Sequence, residues 1–294
     1  MLNVATAVVN WNSVDLPEHE QDYGYPRILD LVQQAGYAAM EYSPSFGTDP
    51  GTLMEDANQH GLTWCGSYHA ADLTAGPLSG DHLRDVEALV SLLVSIGCHD
   101  LVAADKGAPE RVALAGQIPE DGSASLSTDA YPLVAANLHA IAAIAQRHEV
   151  KVHFHNHVGT WIETPAELDA LMEHLDLSLV DLCFDTGHYA YGGGNPLAFL
   201  REHLNQIGYI HLKDVDGDVL VEAKENGWSF HDALRRVIFS PLGEGSAQIP
   251  AILRTLTEND FGGWVVVEQD TCNGDPTDTA RQNREYIGKQ VGGA

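Results

Sequence analysis

The chain has 294 residues, and 42 Asp plus Glu against 15 Lys plus Arg give it a formal charge of −27. Binding a nucleic-acid backbone depends on clustered cations, so this balance argues against a nucleic-acid partner. Hydrophobic residues make up 44% of the chain, which is typical of a folded protein and not of a disordered one. No segment approaches the ~20 apolar residues of a membrane span, and the first residues lack an export signal, so we expect a cytoplasmic protein without a membrane partner.

The cysteines and histidines indicate which kinds of site the chain can form. The four cysteines lie far apart in the sequence without a CxxC motif, which favours reduced, packed thiols over a disulfide framework or a thiolate zinc site. The 15 histidines equal the total of Lys and Arg, and several of them lie close together. This clustering indicates a site in which imidazoles have a role.

Short β-branched runs alternate with longer stretches of helical periodicity along the chain, which is the pattern of repeated βα units and a parallel sheet. The predicted strands span residues 4–9, 38–41, 63–67, 100–103, 150–155, 180–184, 207–211 and 264–268. The predicted helices span residues 26–35, 50–60, 81–96, 130–147, 165–174, 196–203, 249–257 and 278–291.

Eight such repeats in fewer than 300 residues fit a closed (β/α)8 TIM barrel of the α/β class, and we expect one domain over residues 1–294. A doubly wound sheet is the alternative, but it normally shows a glycine-rich phosphate loop after the first strand. Here that strand is followed by Asn10-Trp11-Asn12-Ser13. Residues 104–127 and 192–194 are predicted to be long βα loops, which in a barrel lie on the catalytic face.

The fifth predicted strand ends in alternating imidazoles. His153, His155 and His157 are two residues apart, so the period of a strand places all three on one face, toward the interior or the mouth of the barrel. Each could instead be a buried histidine with satisfied hydrogen bonds. Three together at one strand end favour a functional site.

The next two strands also end in polar residues. Asp185 ends the sixth strand on the inward face, and Gly187 is expected to permit a sharp turn that brings His188 over the same mouth. Asp185 could alternatively be the N-cap of a helix. In the seventh strand, His211 and Lys213 face the same side.

The eighth predicted strand is apolar and ends in Glu268, so four consecutive strands end in His155, Asp185, His211 and Glu268. Two imidazoles and two carboxylates suit a divalent metal ion, Mn or Co first, with Fe, Zn or Mg as further options. The alternative is an acid/base cluster that titrates as a unit without a metal.

At these residues the sequence resembles the xylose-isomerase-like (β/α)8 superfamily of sugar isomerases and epimerases, and within it the inosose (2-keto-myo-inositol) dehydratases. DTGH at residues 185–188 and HLKD at residues 211–214 match the superfamily. The other matching segments are residues 10–11, 15–18, 155–160, 221–224, 243–245 and 263–268.

The resemblance also bears on the reaction. Ketose epimerases of the superfamily have a proton-transferring Glu at the end of strand five, whereas this chain has His155, which favours dehydration over epimerisation. The resemblance therefore implies a metal-dependent lyase that eliminates water from a keto-cyclitol through an enediolate. Ketose 3-epimerisation or isomerisation, cleavage of a 3-keto-glycoside by β-elimination, and a sugar-binding barrel without activity are the alternatives. The charge argues against a repair endonuclease on the same barrel.

The roles assigned to single residues follow from their expected place at the mouth. The candidate catalytic residues are His157, Lys213 and Glu268, and the candidate substrate-binding residues are Trp11, Glu41, His69 and His188. Lys213 could instead form only a salt bridge, with Asp214 or Glu268. The chain departs from the dehydratase pattern at Val14, residues 66–69 and residues 103–106, which are expected to line the pocket and to decide the substrate. Expected partners are a keto-sugar or keto-cyclitol and a second copy of the chain, as a dimer or tetramer.

Overall fold

A computed structural model describes residues 1–13, 16 and 23–292, and within them eight parallel strands close into a barrel that helices surround. The strands are β1 (Asn3–Thr6), β2 (Ala39–Tyr42), β3 (Thr63–Ala71), β4 (Asp100–Asp105), β5 (Lys151–His155), β6 (Val180–Asp185), β7 (Ile207–Leu212), β8 (Asp214–Val215), β9 (Phe239–Ser240) and β10 (Trp264–Val267). The barrel order is β1-β10-β7-β6-β5-β4-β3-β2, while β8 and β9 form a separate antiparallel pair. The predicted (β/α)8 fold is confirmed.

The helices follow the strands in chain order. They are α1 (Arg27–Gln34), α2 (Pro50–Gln59), α3 (Gly80–Ser95), α4 (Pro109–Leu114), α5 (Tyr131–Gln146), α6 (Pro165–Met172), α7 (Thr186–Tyr191), α8 (Pro196–His203), α9 (Gly217–Asn226), α10 (Phe230–Leu234), α11 (Ile249–Glu258) and α12 (Pro276–Val291). Helix α6 begins with a capping box between Thr164 and Glu167. Among the described residues, no helix is both long and apolar enough to cross a bilayer.

Several predicted boundaries were wrong. The first strand ends at Thr6, because Val8–Asn10 forms a 3-10 turn that leads the chain away from the barrel wall. The predicted loop 104–127 contains the end of β4 and the helix α4. Helices α4, α7, α9 and α10 and the β8–β9 pair were not predicted. They are short elements within the connections that follow β4, β6 and β7, where long-range periodicity is weakest.

The alternation of side chains along the strands separates two apolar layers. Small and medium side chains such as Ala5, Val102 and Val266 fill the barrel interior. Leu182 and Phe184 belong to the layer between the strands and the helices. This alternation turns Cys183 and Asp185 inward, so Asp185 lies at the end of β6 that opens to the mouth.

Strand β3 contains one extra residue that changes which side chains face inward. Met40 of β2 pairs with Trp64 of β3, and Tyr42 pairs with Ser67. One residue lies between the two paired positions in β2, whereas two residues lie between them in β3. An extra residue reverses the inward and outward positions that follow it. Tyr68 therefore faces the mouth, where its ring contacts His155 edge-on.

A third apolar cluster lies over the C-terminal end of the barrel. Leu16, from the connection after β1, joins residues from the connections after β4, β5, β6 and β7, among them Val158, Tyr191, Phe230 and Phe239. Phe230 and Phe239 both contact the His188 ring. This cluster forms one side of the mouth and separates the histidines from bulk solvent.

Candidate active site

The four strand-end residues converge in space. His155, Asp185, His211 and Glu268 each offer a ligand atom within 4.8 Å of the others, and all four residues are buried. His155 Nε2 lies 3.5 Å from Asp185 Oδ2, and His211 Nδ1 lies 3.2 Å from Glu268 Oε2. The strands that carry them, β5, β6, β7 and β10, are neighbours in the barrel, so their C-terminal ends meet at one mouth.

Three buried atoms of this cluster have unused bonding capacity. His155 Nδ1, Asp185 Oδ2 and His211 Nδ1 find no hydrogen-bond partner among the described residues. Leaving such a group unsatisfied costs about 1–3 kcal/mol, so native structures avoid it unless a water or an ion completes the site. Two imidazole nitrogens and two carboxylates form a donor set that fits a divalent metal ion. The residues present therefore fit the metal that the sequence predicted.

Asp185 has two roles. Its Oδ1 accepts the backbone N–H of His188 at 2.7 Å and begins α7, while Oδ2 faces the cluster. The two interpretations of Asp185 made from the sequence, helix cap and ligand, are compatible because each uses a different oxygen. Gly187 makes no sharp turn, since it lies within α7, and a Cβ on it would lie 2.7 Å from Lys213 Cβ. The glycine is small so that Lys213 can pack against the helix.

Electrostatics in the cluster favour bound positive charge. Burial raises the pKa of Glu268, but His211 and Lys213 outweigh that effect and hold the pKa below its usual range. Burial, assisted by His211, lowers the pKa of His155 to about 4 against the opposing effect of Asp185. The His155 imidazole is therefore neutral at pH 7 and keeps a lone pair, as a metal ligand must.

Lys213 is a buried cation surrounded by carboxylates. Its Nζ lies 3.1 Å from both carboxylate oxygens of Asp270, 3.2 Å from Glu268 Oε2 and 3.6 Å from Asp185 Oδ2. Burial lowers the pKa of Lys213, but these three carboxylates more than offset the effect and raise it above its usual value. Lys213 does pair with Glu268. Asp214 instead accepts the backbone N–H groups of residues 215, 243, 245 and 247.

His157 and His188 lie side by side, with ring centroids 3.7 Å apart. His157 Nδ1 lies 2.6 Å from the carbonyl oxygen of Val158 and must donate to it, because a carbonyl only accepts. In the neutral ring this leaves Nε2 as the acceptor. Burial and the nearby His157 and Lys213 hold the pKa of His188 well below its ordinary value, so its neutral Nε2 accepts from Lys213 Nζ at 3.1 Å.

A cavity of about 290 Å³ opens onto the cluster. His155, His157, His211, Lys213 and Glu268 face it. Several further polar residues line the cavity, and no role was predicted for them individually, although residues 103–106 were expected to lie in the pocket. These residues are Asn12, Ser43, Asp105, Lys106, Thr160 and Asp270. Tyr68 and Phe230 supply aromatic surface. No pattern in the sequence indicated Phe230, because the insertion that carries it was not predicted.

Three predicted substrate-binding residues do not reach this cavity. Trp11 is packed in the outer apolar layer, where its Nε1 donates to Thr277. His69 is turned outward by the extra residue in β3, and its Nε2 lies 3.1 Å from His82 Nε2 of α3. His188 is fully buried behind His157 and Lys213.

Of the two remaining candidates, Glu41 lies at the cavity and His153 lies below it. Glu41 borders the cavity as predicted, but its Oε1 already accepts the hydroxyl of Tyr209 and is 2.9 Å from His211 Nε2. His153 lies deeper in the barrel between Asp100 and Asp181, so it is a buried histidine whose hydrogen bonds are satisfied.

Part of the segment that resembles the dehydratases lies outside the described residues. It comprises Val14, Asp15, Pro17 and Glu18.

Comparison with known proteins places the chain in a family. A family model described as xylose isomerase-like TIM barrel matches residues 29–290. The chain belongs to this family. It is 30% identical to the inosose dehydratase of Geobacillus kaustophilus, over 98% of this chain and 94% of that protein. It is 29% identical to the inosose dehydratase of Clostridium beijerinckii, over 97% of this chain and 95% of that protein.

The barrel also matches solved structures. The crystal structure of the IOLI protein, which contains a bound zinc atom, superimposes with a TM-score of 0.71 at 14% identity and covers 99% of this chain and 98% of that one. At this identity the match supports the fold alone. The full-length relatives add that this barrel is an enzyme of the family, so the cluster at its mouth is the candidate active site.

Proposed function

We propose that this protein is a metal-dependent dehydratase that eliminates water from a neutral keto-cyclitol such as 2-keto-myo-inositol. The observation that carries the proposal is the buried cluster of His155, Asp185, His211 and Glu268, three of whose atoms have no hydrogen-bond partner among the described residues. The full-length relatives named inosose dehydratase support the substrate class. His155 at the end of β5 supports dehydration, because a carboxylate base is absent from that position.

The four cluster residues would hold Mn²⁺ or Co²⁺, whose mixed N/O preference they match. When bound, the ion supplies Lewis-acid chemistry that polarises a ketone and acidifies the neighbouring carbon. Asp185 and Glu268 offset its charge, and their carboxylates are kept ionised by the cations around them.

His157 is the base in this proposal. Its Nδ1–H is committed to the Val158 carbonyl, so in the neutral ring Nε2 carries the lone pair, and the residue borders the cavity. Nε2 takes the proton from the carbon next to the ketone and the electron pair moves toward the ketone oxygen, giving an enediolate. When the pair returns, the C–O bond to the β-hydroxyl breaks and the His157 imidazolium gives its proton to the departing oxygen. One proton and one hydroxide leave as water, and no oxidant or reductant is required.

Lys213 acts in this scheme as a fixed cation. Three carboxylates raise its pKa, which makes it a poor proton donor and an unsuitable base. Its ammonium group borders the cavity beside Glu268, so it is placed to stabilise the negative charge that develops on the ketone oxygen. The burial of this charge amplifies the effect, because the local dielectric is low.

The wall of the cavity supports a neutral substrate. Glu41, Asp105, Glu268 and Asp270 border it, against Lys106 and a Lys213 that is already paired. A phosphate or carboxylate on the substrate would meet repulsion from these groups. Tyr68 and Phe230 supply flat apolar surface for the C–H face of a ring.

The test is to add 2-keto-myo-inositol to the metal-reconstituted protein and follow the absorbance of the conjugated product, with a chelator-treated sample as control. Metal-dependent formation of the dehydrated product is expected. A product with an inverted stereocentre and no loss of water would replace the dehydratase with an epimerase. Absence of turnover with metal bound would refute the proposed substrate.

A further inference from the structure

A buried chain of hydrogen bonds lies directly below the metal cluster, inside the barrel. Tyr209 Oη donates to Glu41 Oε1 at 2.9 Å, and His211 Nε2 lies 2.9 Å from the same oxygen. Tyr209 and His211 are two residues apart on β7, so both face inward, and Glu41 reaches them from β2 across the barrel. All three side chains are buried, and the most exposed of them, Glu41, is only 6% exposed.

These contacts fix the orientation of the His211 ring. An ionised carboxylate only accepts hydrogen bonds, so His211 Nε2 must carry the hydrogen that points to Glu41. In the neutral ring Nδ1 then holds the lone pair, and this is the nitrogen that lies 3.2 Å from Glu268 Oε2 without a hydrogen-bond partner among the described residues. A carboxylate behind a histidine ligand sets its tautomer and raises its basicity.

The position of Tyr209 is itself determined by its neighbours. A Cβ on Gly66 of β3 would lie 2.5 Å from Tyr209 Oη, so only glycine leaves room for the hydroxyl. Cys65 Sγ lies 3.5 Å from the same oxygen. Because the hydroxyl donates to Glu41, it can accept from the Cys65 thiol, and the hydrogen bonds then run in one direction from Cys65 on β3 through Tyr209 on β7 to Glu41 on β2.

We infer that Glu41 and Tyr209 are positioning residues that hold His211 with Nδ1 directed into the metal cluster, and that Glu41 is not a substrate ligand. This inference rests on the proposed function, because it assumes that the cluster binds a divalent metal. It extends that function by assigning the specific role of one carboxylate that borders the cavity and of a tyrosine that does not reach it. Neither residue touches the reacting atoms.

The test uses the full-length chain, stripped of metal with a chelator and titrated with Co²⁺. Affinity is measured by competition with a chelating dye, and the visible absorption bands of the bound Co²⁺ report the geometry of its ligands. Glu41→Gln is expected to weaken Co²⁺ binding by about 10- to 100-fold. Tyr209→Phe is expected to weaken it by about fivefold, the effect of one hydrogen bond. Both are expected to shift the Co²⁺ bands.

Two further variants separate positioning from loss of stability. Tyr37→Phe removes another buried tyrosine hydroxyl, one that donates to the Ala280 carbonyl far from the cluster, and should leave Co²⁺ affinity and spectrum unchanged. Gly66→Ala displaces the Tyr209 hydroxyl without altering any group of the cluster and should reproduce the Tyr209→Phe spectrum. Circular dichroism and melting temperature identify any variant that fails to fold.

The outcomes are distinct. If the wild-type protein binds Co²⁺ and both Glu41→Gln and Tyr209→Phe bind it with unchanged affinity and spectrum, the positioning role is wrong and the proposed metal centre stands. If the wild-type protein binds no divalent ion, the metal centre of the proposed function is wrong and the positioning role falls with it. If Tyr37→Phe weakens Co²⁺ binding as much as Tyr209→Phe does, the effect comes from a general loss of stability, and the inference is overturned.

Discussion

Lys213 and Asp270 form a buried salt bridge inside the barrel mouth, in which Lys213 Nζ lies 3.1 Å from each carboxylate oxygen of Asp270. The Lys213 side chain is 1% exposed and that of Asp270 is 4% exposed, so both charges are almost completely shielded from bulk solvent. Glu268 and Asp185 approach the same ammonium group. One lysine thus compensates three buried carboxylates, and its removal is expected to affect both folding and catalysis.

Lys213→Met should destabilise the metal-free protein by about 3–5 kcal/mol, because three carboxylates lose their shared cation. Its melting temperature should recover partly on adding Mn²⁺, which returns positive charge to Asp185 and Glu268. With metal bound, kcat should fall by about 100-fold or more, since the cation beside the developing oxyanion is gone. Lys106→Met is the matched control for stability, because Lys106 is 57% exposed and pairs only with Asp72 among the described residues. An unchanged kcat in Lys213→Met would refute the electrostatic role.

Asp185 permits a separation of its two roles. Asp185→Asn keeps an oxygen that can accept the His188 N–H, so the start of α7 survives, but the charge on the other oxygen is lost. Metal affinity should therefore fall by more than the roughly 10- to 100-fold typical of an outer-shell change. Asp185→Ala should lose the same affinity and in addition about 1 kcal/mol of stability from the missing cap. Measurement of bound metal tests the loss of affinity, and urea unfolding tests the loss of stability. Equal stability of the two variants would argue against the capping role.

The sequence predicted most of the fold because the βα repeat is carried by periodicity, which local composition reveals. It also placed His155, Asp185, His211 and Glu268 together, since the C-terminal ends of parallel strands in a barrel share one face. His69 does not lie at the mouth, where the sequence placed it, because one extra residue in β3 turns its side chain outward. Such an irregularity depends on pairing with β2 and leaves no pattern in the sequence.

The positions of Trp11 and Phe230 also differ from what the sequence suggested, and for a similar reason. Trp11 follows a strand that ends earlier than predicted, at Thr6, and the 3-10 turn after it directs the indole into the outer layer. Phe230 was missed because the insertion after β7 packs on the barrel through its own apolar cluster. In both cases tertiary contacts, and not local propensity, decide where an aromatic side chain lies.

His157→Gln tests the assignment of the base. With the Nε2 atom removed, kcat should fall by about 10²- to 10⁴-fold, while bound metal should stay constant because His157 is not among the cluster ligands. Exchange of the carbon-bound proton next to the ketone with D₂O, followed by NMR, should stop in the variant. His157→Gln that still exchanges this proton at the wild-type rate would show that another group is the base.

The outward His69 gives a prediction for acid stability. Burial and the neighbouring His82 lower the pKa of His69 to about 4, below the 6.5 of an exposed histidine. The unfolded chain therefore binds the extra proton between these two values, so the stability linked to a neutral His69 is complete above pH 6.5 and is lost as the pH falls toward 4. Between pH 6.5 and 4.5 the wild-type free energy of unfolding should drop by about 1–2 kcal/mol more than that of His69→Gln, which cannot titrate. Urea unfolding at several pH values measures this difference, and parallel pH profiles for the two proteins would show that the pKa of His69 is not lowered in the folded protein.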